Sequence, residues 1–414
     1  MDTSYYHGFL PSRDAKELLQ NTGDFVVRRC EPGSPKYMVS VCTDKHQVQH
    51  VTVRRTANHS AYFVNKYAFE DIPKLIRFHS EKMLSLSNDV QAIPIRPVPR
   101  QEWELIKEHV KVGKRIGEGA FGAVHRAELR LGDKQWISVA VKLHRKQEQC
   151  ISLSQIKQIM SEARMMRQYK HPNLVSFYGV VARTEPLMLV MELVSGGGLD
   201  AFLQKNSVKL EITDRLSFSW DAAKGLLYLH SNHYLHRDIA ARNCLITKEF
   251  VVKISDFGLS RGIQENTPIN QELTRLPVRW LAPEVFTTKQ YKKETDIYSY
   301  GVMLWEIFSD GGFPYGGMTA RVVQNEVVRG YRLEAPPITP PAIIELMSRC
   351  WHADPNRRPQ LNEICDQLKQ LFMKELETDK KGKGFVACKL RREHRQSDEA
   401  KDPSYESATP SPTV

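Results

Sequence analysis

Eight consecutive residues, His236-Arg237-Asp238-Ile239-Ala240-Ala241-Arg242-Asn243, crowd ionisable and amide side chains between apolar runs, and Asp256-Phe257-Gly258 follows shortly after. A passive core has little use for so many polar groups, because each must be desolvated and paired. An aspartate beside a hydroxyl nucleophile can accept its proton, and an asparagine five positions on can hold a metal. A second aspartate, two residues before a glycine, can ligate magnesium on phosphates. Upstream, Gly117-Glu118-Gly119-Ala120-Phe121-Gly122-Ala123-Val124 supplies glycines that let backbone amides approach phosphate oxygens. Handling of a nucleotide phosphate is the chemistry these residue types suit.

Elements on either side must hold those groups. The glycine stretch lies between strand-like residues 110–116 and 123–129. A Gly-x-Gly-x-x-Gly also occurs in dinucleotide-binding folds, but there it joins a strand to a helix. Val139-Ala140-Val141-Lys142 alternates as a buried strand does, and the helical residues 155–168 present Glu162 toward it. Residues 187–191 form another buried strand leading to Glu192-Leu193-Val194 and three glycines. A long helical pattern over 212–230 supports the polar stretch that follows.

Taken in order, these motifs resemble the protein kinase family. The resemblance implies ATP as co-substrate, with Mg2+ as the metal and Mn2+ as an alternative ion. It puts Gly117, Gly119, Gly122, Val124 and Ala140 around the nucleotide, Met191 beside the adenine pocket, and backbone groups of Glu192 and Val194 on adenine. Lys142 takes the α- and β-phosphates and Glu162 holds that lysine. Asp238 becomes the catalytic base, and Asn243 and Asp256 the metal ligands. Asp296 is expected to brace the catalytic loop, and Glu284 to pair with Arg358. The Ala240-Ala241-Arg242 run, with Leu276-Pro277-Val278-Arg279-Trp280, is similar to tyrosine kinases, in which Arg242 lies near the phenolic ring of the substrate.

The first hundred residues read as a helix over 11–20, strands over 25–30, 37–42 and 47–55, and a second helix from about 72 to 79. Alternation points Arg28 away from Phe25 and Val27, into a central strand. Such an arginine either pairs with a nearby carboxylate or lines an anion pocket, since a guanidinium fork matches phosphate geometry. Tyr5-Tyr6-His7-Gly8, Gly23-Asp24-Phe25-Val26-Val27-Arg28 and His50 resemble the SH2 pattern. The resemblance implies that Arg28 clamps phosphotyrosine, helped by Arg13 and His50. Tyr5 stands where that family has tryptophan, and Arg29 follows the key arginine. Residues 90–101, with Pro94, Pro97 and Pro99, read as a stiff connector belonging to neither core.

The expected class is therefore α+β. It comprises an SH2 domain over 6–95 (an antiparallel sheet flanked by two helices), a linker over 96–109, a bilobal kinase fold over 110–373, and a basic, disordered tail over 374–414. A length of 414 residues and 41% hydrophobic content suit two domains with a tail. The net charge of +11 is a moderate excess, and within the tail a basic stretch runs over 380–395. It suits weak contact with acidic membrane or a nuclear-import patch, with nucleic acid not expected. Tyr405, flanked by Asp402 and Glu406, is a candidate phosphotyrosine ligand for an SH2 domain. Seven cysteines lie scattered without metal-ligand spacing and read as reduced thiols. No apolar run reaches bilayer-spanning length.

The order SH2-then-kinase, with Val190-Met191-Glu192-Leu193-Val194 followed by glycines and Ala241-Arg242-Asn243-Cys244-Leu245, resembles the Fes/Fer group without its N-terminal F-BAR and coiled-coil region. This implies a non-receptor tyrosine kinase targeted to tyrosine-phosphorylated proteins and placed in the cytoplasm or peripherally at the plasma membrane, a nuclear presence being left open. The alternative is a phosphotyrosine-binding scaffold with a dispensable kinase fold. Fes/Fer kinases carry a tyrosine in the activation segment; between Gly258 and Pro283 this chain has none, and the loop instead offers Thr267 and Thr274. Control by loop tyrosine phosphorylation is therefore not expected.

Overall fold

Short period-two runs dominate one compact unit of the chain (Met1–Lys170 with Ser176–Leu193), and longer helical runs dominate the other (His171–Val175 with Val194–Val414). The computed structural model describes residues 3–29, 37–43, 47–119, 122–132, 135–143, 152–262, 277–378 and 384–386.

In the first unit, strands β1 (Tyr6–Phe9), β2 (Asp24–Arg29), β3 (Tyr37–Cys42), β4 (Val48–Arg55), β5 (Tyr62–Val64) and β6 (Tyr67–Phe69) form one sheet in that order. Helices α1 (Ser12–Leu18) and α2 (Ile72–Glu81) accompany it. Phe25 and Val27 sit opposite Val41 and Val39. With Tyr6, Val53, Leu75 and Ile76 they make a dry core, as alternation predicts. Asp71 starts α2 by accepting the Lys74 amide at 2.7 Å, with Pro73 in the first turn.

The connector departs from expectation. Arg96–Pro97 is strand β7, parallel to β2, and Ala92 is part of the sheet's core. The Arg96 Nε donates to Asp24 Oδ1 at 2.8 Å, and His7 Nδ1 lies 2.8 Å from Glu104 Oε1. Proline is tolerated there because β7 is an edge strand that needs few donors.

A second sheet in this unit contains β8 (Val110–Gly119), β9 (Gly122–Leu131), β10 (Gln135–Leu143), β11 (Phe177–Val181) and β12 (Met188–Glu192), in the order β11-β12-β10-β9-β8. Helix α3 (Leu153–Gln168) starts at a Ser152/Gln155 capping box. Its exposed side meets α1: Arg164 donates to both Asp14 oxygens at 2.9 and 2.8 Å, and Arg167 to Glu17 at 3.3 Å.

The second unit is built on α4 (Leu199–Asn206), α5 (Ile212–Ser231), α6 (Pro283–Thr288), α7 (Lys293–Phe308), α8 (Ala320–Arg329), α9 (Pro341–Cys350) and α10 (Leu361–Thr378). Helices α5 and α7 are buried on nearly every side, so polar residues on them need internal partners. Strands β13 (Tyr234–Leu235), β14 (Cys244–Ile246), β15 (Val252–Ile254) and β16 (Arg261–Gly262) pair as β13–β16 and β14–β15. The α+β class with an antiparallel, helix-flanked sheet first and a kinase-like part after it is thus observed. The tail differs from expectation, since residues 384–386 pack against α5. Among the described residues no helix is long and apolar enough to cross a membrane.

Candidate active site and anion pocket

In the first unit, β8 and β9 meet at the glycine stretch, with Gly119 opposite Gly122 and Gly117 opposite Val124. Gly122 has φ of 149°, which side-chain-bearing residues avoid. Among the described residues a Cβ at Gly117 would meet only Val124, at 3.9 Å. Ala120 and Phe121 lie outside the described residues.

Lys142 lies opposite Val124, and Ala140 opposite Met191. The Lys142 Nζ donates to Glu162 Oε1 and Oε2 at 2.9 and 3.0 Å, with both side chains buried. An ammonium taken out of water is tolerated only because the carboxylate meets it with two bonds; removing one partner of such a pair costs roughly 3–5 kcal/mol. At the end of β12 the Glu192 amide donates to the Ser176 carbonyl at 2.9 Å, and its carboxylate accepts the Ser176 amide at 3.0 Å. Val194, in the second unit, is buried.

The catalytic stretch of the second unit hangs from one buried carboxylate. Asp296 accepts the amides of His236 and Arg237, both at 2.8 Å, and lies 3.0 Å from His230 Nε2. Burial alone would raise its pKa, but His230, His236 and the amide bonds outweigh it and hold the group below its ordinary value. This clamp fixes Arg237 at φ 69°, a left-handed conformation unfavourable for an arginine. Glu284 and Arg358 form the expected pair, at 2.6 and 2.8 Å.

Asp238 is then held at short range. Its amide donates to His236 Nδ1 at 3.3 Å, its carboxylate pairs with Arg242, and its carbonyl accepts Asn243 Nδ2 at 2.8 Å. The Arg242 guanidinium lies over the Trp280 ring at 4.0 Å from its centre. Trp280 Nε1 and the Ala241 amide both donate to Glu306 Oε2 at 2.9 Å. A closed circuit of contacts thus runs from Asp238 through Arg242, Trp280 and Glu306 back to the loop.

Ser255 joins Asn243 to Asp256, its amide and hydroxyl each donating to the Asn243 carbonyl at 2.8 Å. With its nitrogen engaged by Asp238, Asn243 presents the amide oxygen, a hard donor that suits magnesium. Asp256 has φ 56° and ψ 71°. Among the described residues no group of three or more His, Cys, Asp or Glu side chains converges into a self-contained metal cage.

Arg28, also in the first unit, is buried, and among the described residues it donates to Ser40 Oγ at 2.9 Å, the Leu10 carbonyl and Ser12 Oγ at 3.0 Å, and Met38 Sδ at 2.7 Å. His50 Nδ1 lies 2.9 Å from Ser40 Oγ. Burial, then Arg28 and Lys16, push the His50 pKa down to about 4, so the ring is neutral at pH 7. Its Nε2 is buried and has no hydrogen-bond partner among the described residues.

Arg13, expected beside Arg28, has Glu17 as one partner at 3.8 Å, with its side chain largely exposed. The adjacent Ser12 reaches Arg28, because one residue along a helix turns the side chain by roughly 100°. Ser12, Ser40 and Lys16 were not singled out by sequence. A hydroxyl at the start of α1 facing the strand of Arg28 was the available signal. Thr267 and Thr274 lie outside the described residues.

Residues 110–368 match the family described as protein tyrosine and serine/threonine kinase, and residues 5–79 match the SH2 domain. The chain is 38% identical over 368 residues to tyrosine-protein kinase Fer of Homo sapiens, covering 89% of the chain and 44% of Fer. It is 36% identical over 373 residues to Fer-related kinase 1 of Caenorhabditis elegans, covering 89% of the chain and 93% of that protein. The tyrosine-protein kinase transforming protein Fps of avian sarcoma virus (strain PRCII) is 36% identical over 366 residues, 88% of the chain and 67% of that protein. The chain therefore spans under half the length of human Fer.

Proposed function

The chain belongs to the family of SH2-containing tyrosine kinases that includes Fer, and we propose from this premise that it phosphorylates protein tyrosine hydroxyls with ATP. The observation that carries the reading is the buried Lys142–Glu162 pair behind the glycine hairpin. A lysine held this way is a fixed cation for phosphate oxygens. Gly117, Gly119, Gly122, Val124 and Ala140 serve the nucleotide on the same sheet. The Glu192 amide is committed to Ser176, so its carbonyl and the Val194 amide are assigned to adenine.

In the second unit, Asp238 orients the phenolic hydroxyl and takes its proton. Arg242, stacked on Trp280, keeps the carboxylate turned outward and offers a flat cation to the substrate ring. Asn243 and Asp256 are assigned to Mg2+, with Mn2+ as the alternative; when bound, the ion neutralises charge developing on the phosphates. The sheet carrying Arg28 is assigned to phosphotyrosine. Ser12 and Ser40 are hydroxyls that can turn from accepting to donating, and the unpartnered His50 Nε2 suits a phosphate oxygen. The proposed domain division is 6–95, 96–109, 110–373 and 374–414, with Arg96–Pro97 joined to the first sheet and α10 carried on to Thr378.

Cytoplasmic placement is supported by the buried free thiols of Cys42, Cys244, Cys350 and Cys365. Tyrosine-phosphorylated proteins are the expected partners, with acidic membrane a weaker one through the tail. Control is assigned elsewhere than to loop tyrosine phosphorylation. The Arg237 guanidinium packs over Tyr291 at 5.0 Å, and the segment that would have to deliver a phosphotyrosine to it contains no tyrosine. Strong dependence of activity on Thr267 or Thr274 would move control to those threonines.

Phosphotransfer by the purified chain and its Asp238→Asn variant, on tyrosine peptides with serine and threonine peptides alongside, tests the assignment. Tyrosine-directed transfer is expected, falling in the variant by about 10²–10⁴-fold. Transfer confined to serine and threonine would sink it.

A further inference from the structure

Five residues separate Thr378, the last of α10, from Gly384. They include Lys380, Lys381 and Lys383, and Lys389, Arg391 and Arg392 follow a few positions later. So basic a run belongs in solvent, yet Gly384-Phe385-Val386 is seated on the second unit. The Val386 amide donates to Asp214 Oδ1 at 2.8 Å, and the Phe385 amide bonds the same carboxylate. Asp214, fully buried in the first turn of α5, also accepts the Glu211 amide at 3.1 Å. A carboxylate without exposure needs such donors, and the tail supplies two of them. Burial raises the Asp214 pKa, and the three amides draw it back.

The side chains are distinguished as well. The Phe385 ring lies 4.9 Å from that of Phe250 and 5.9 Å from that of Phe202, ordinary separations for aromatic packing. Val386 is buried. A Cβ at Gly384 would stand 2.8 and 2.9 Å from the Asp214 oxygens, closer than carbon approaches oxygen without displacement. Three consecutive positions are therefore selected by three features: no side chain, an aromatic ring, a branched aliphatic group.

We propose that Phe202, Asp214 and Phe250 form a peptide-docking site selective for Gly-Phe-Val, whose resident ligand is the chain's own residues 384–386. One carboxylate clamps two consecutive amides while an aromatic platform reads the ring between them. Because the connection is five residues long, the resident ligand acts at an effective concentration on the order of millimolar and holds the groove against free peptides.

The test uses the full chain and a fluorescent peptide of residues 380–390 carrying Cys388→Ser, titrated by anisotropy. The Phe385→Ala chain, stripped of its tethered competitor, should bind the peptide at least about tenfold more tightly than wild type. Peptides with Gly→Ala at position 384 or Phe→Ala at position 385 should lose binding. Equal affinity for both chains, binding to neither, or tolerance of the Gly→Ala change overturns the site. Hydrogen exchange on the wild-type chain needs no variant. The Phe385 and Val386 amides should exchange at least about tenfold more slowly than in the free peptide, and unprotected amides would overturn the docking itself.

Discussion

Lys142 and Arg28 are both cations buried on central strands of the first unit, but their surroundings differ. Lys142 is met by a carboxylate, Glu162, at 2.9 and 3.0 Å. Among the described residues Arg28 also meets two hydroxyls, a carbonyl and a thioether. A cation locked to a carboxylate has its position fixed by its own protein, and its charge is largely spent. A cation that also meets hydroxyls has beside it groups that can turn to help bind an incoming anion. The first arrangement suits a group that must stand still during chemistry, the second a group that must recognise.

Breaking the carboxylate-held pair should give the largest effect. Lys142→Met alone strands Glu162 in the core and should cost roughly 3–5 kcal/mol, read as a lowered denaturant midpoint, with phosphotransfer abolished. Lys142→Met with Glu162→Leu removes both charges and should recover most of the stability while restoring no activity. A double variant as unstable as the single one would mean that packing, not charge, holds this position.

Arg28→Lys keeps the charge and loses the fork. Phosphotyrosine-peptide affinity should fall by about one to two powers of ten, with a small change in stability, measured by calorimetry and thermal unfolding. If stability falls as far as in Lys142→Met, Arg28 is structural and the contrast fails. Ser40→Ala, which removes one acceptor of Arg28 and the partner of His50, should cost less, about threefold to tenfold in affinity.

Much of this contrast was legible in the chain. Alternation marked the strands carrying Arg28 and Lys142, helical spacing aimed Glu162 at the lysine, and Asp296 and Glu284 found their expected partners. What escaped depended on tertiary contacts or on a single step of helix phase. Arg13 and Ser12 are neighbours in sequence, yet one pairs with Glu17 and the other reaches Arg28. The proline-rich connector gained a strand because Arg96 found Asp24, seventy-two residues away. Gly384 to Val386 were masked by the lysines and arginines around them, whose composition argues for solvent. Three apolar residues produce no periodicity, and only the fully buried Asp214 explains their place.

Glu306 extends the comparison to the acidic side, with the smallest expected effect. It is buried and meets two neutral donors, the Ala241 amide and the Trp280 indole. Asp296, on the same helix, instead meets His230. Burial pushes the Glu306 pKa from 4.5 up to about 7, against the Ala241 and Trp280 bonds and Arg242, whereas the Asp296 pKa is lowered. Between 4.5 and about 7 the folded chain therefore keeps a proton on Glu306 that the unfolded chain has released, so this group's contribution to stability falls as pH rises through that window. Glu306→Gln keeps an oxygen for both donors and has nothing to titrate. Its stability relative to wild type should rise from pH 5 to pH 8, read as diverging thermal midpoints. Parallel midpoints across that range would show that the Ala241 and Trp280 donors hold the Glu306 carboxylate as firmly as Asp296 is held by His230 and its two amides, and the comparison would lose its acidic half.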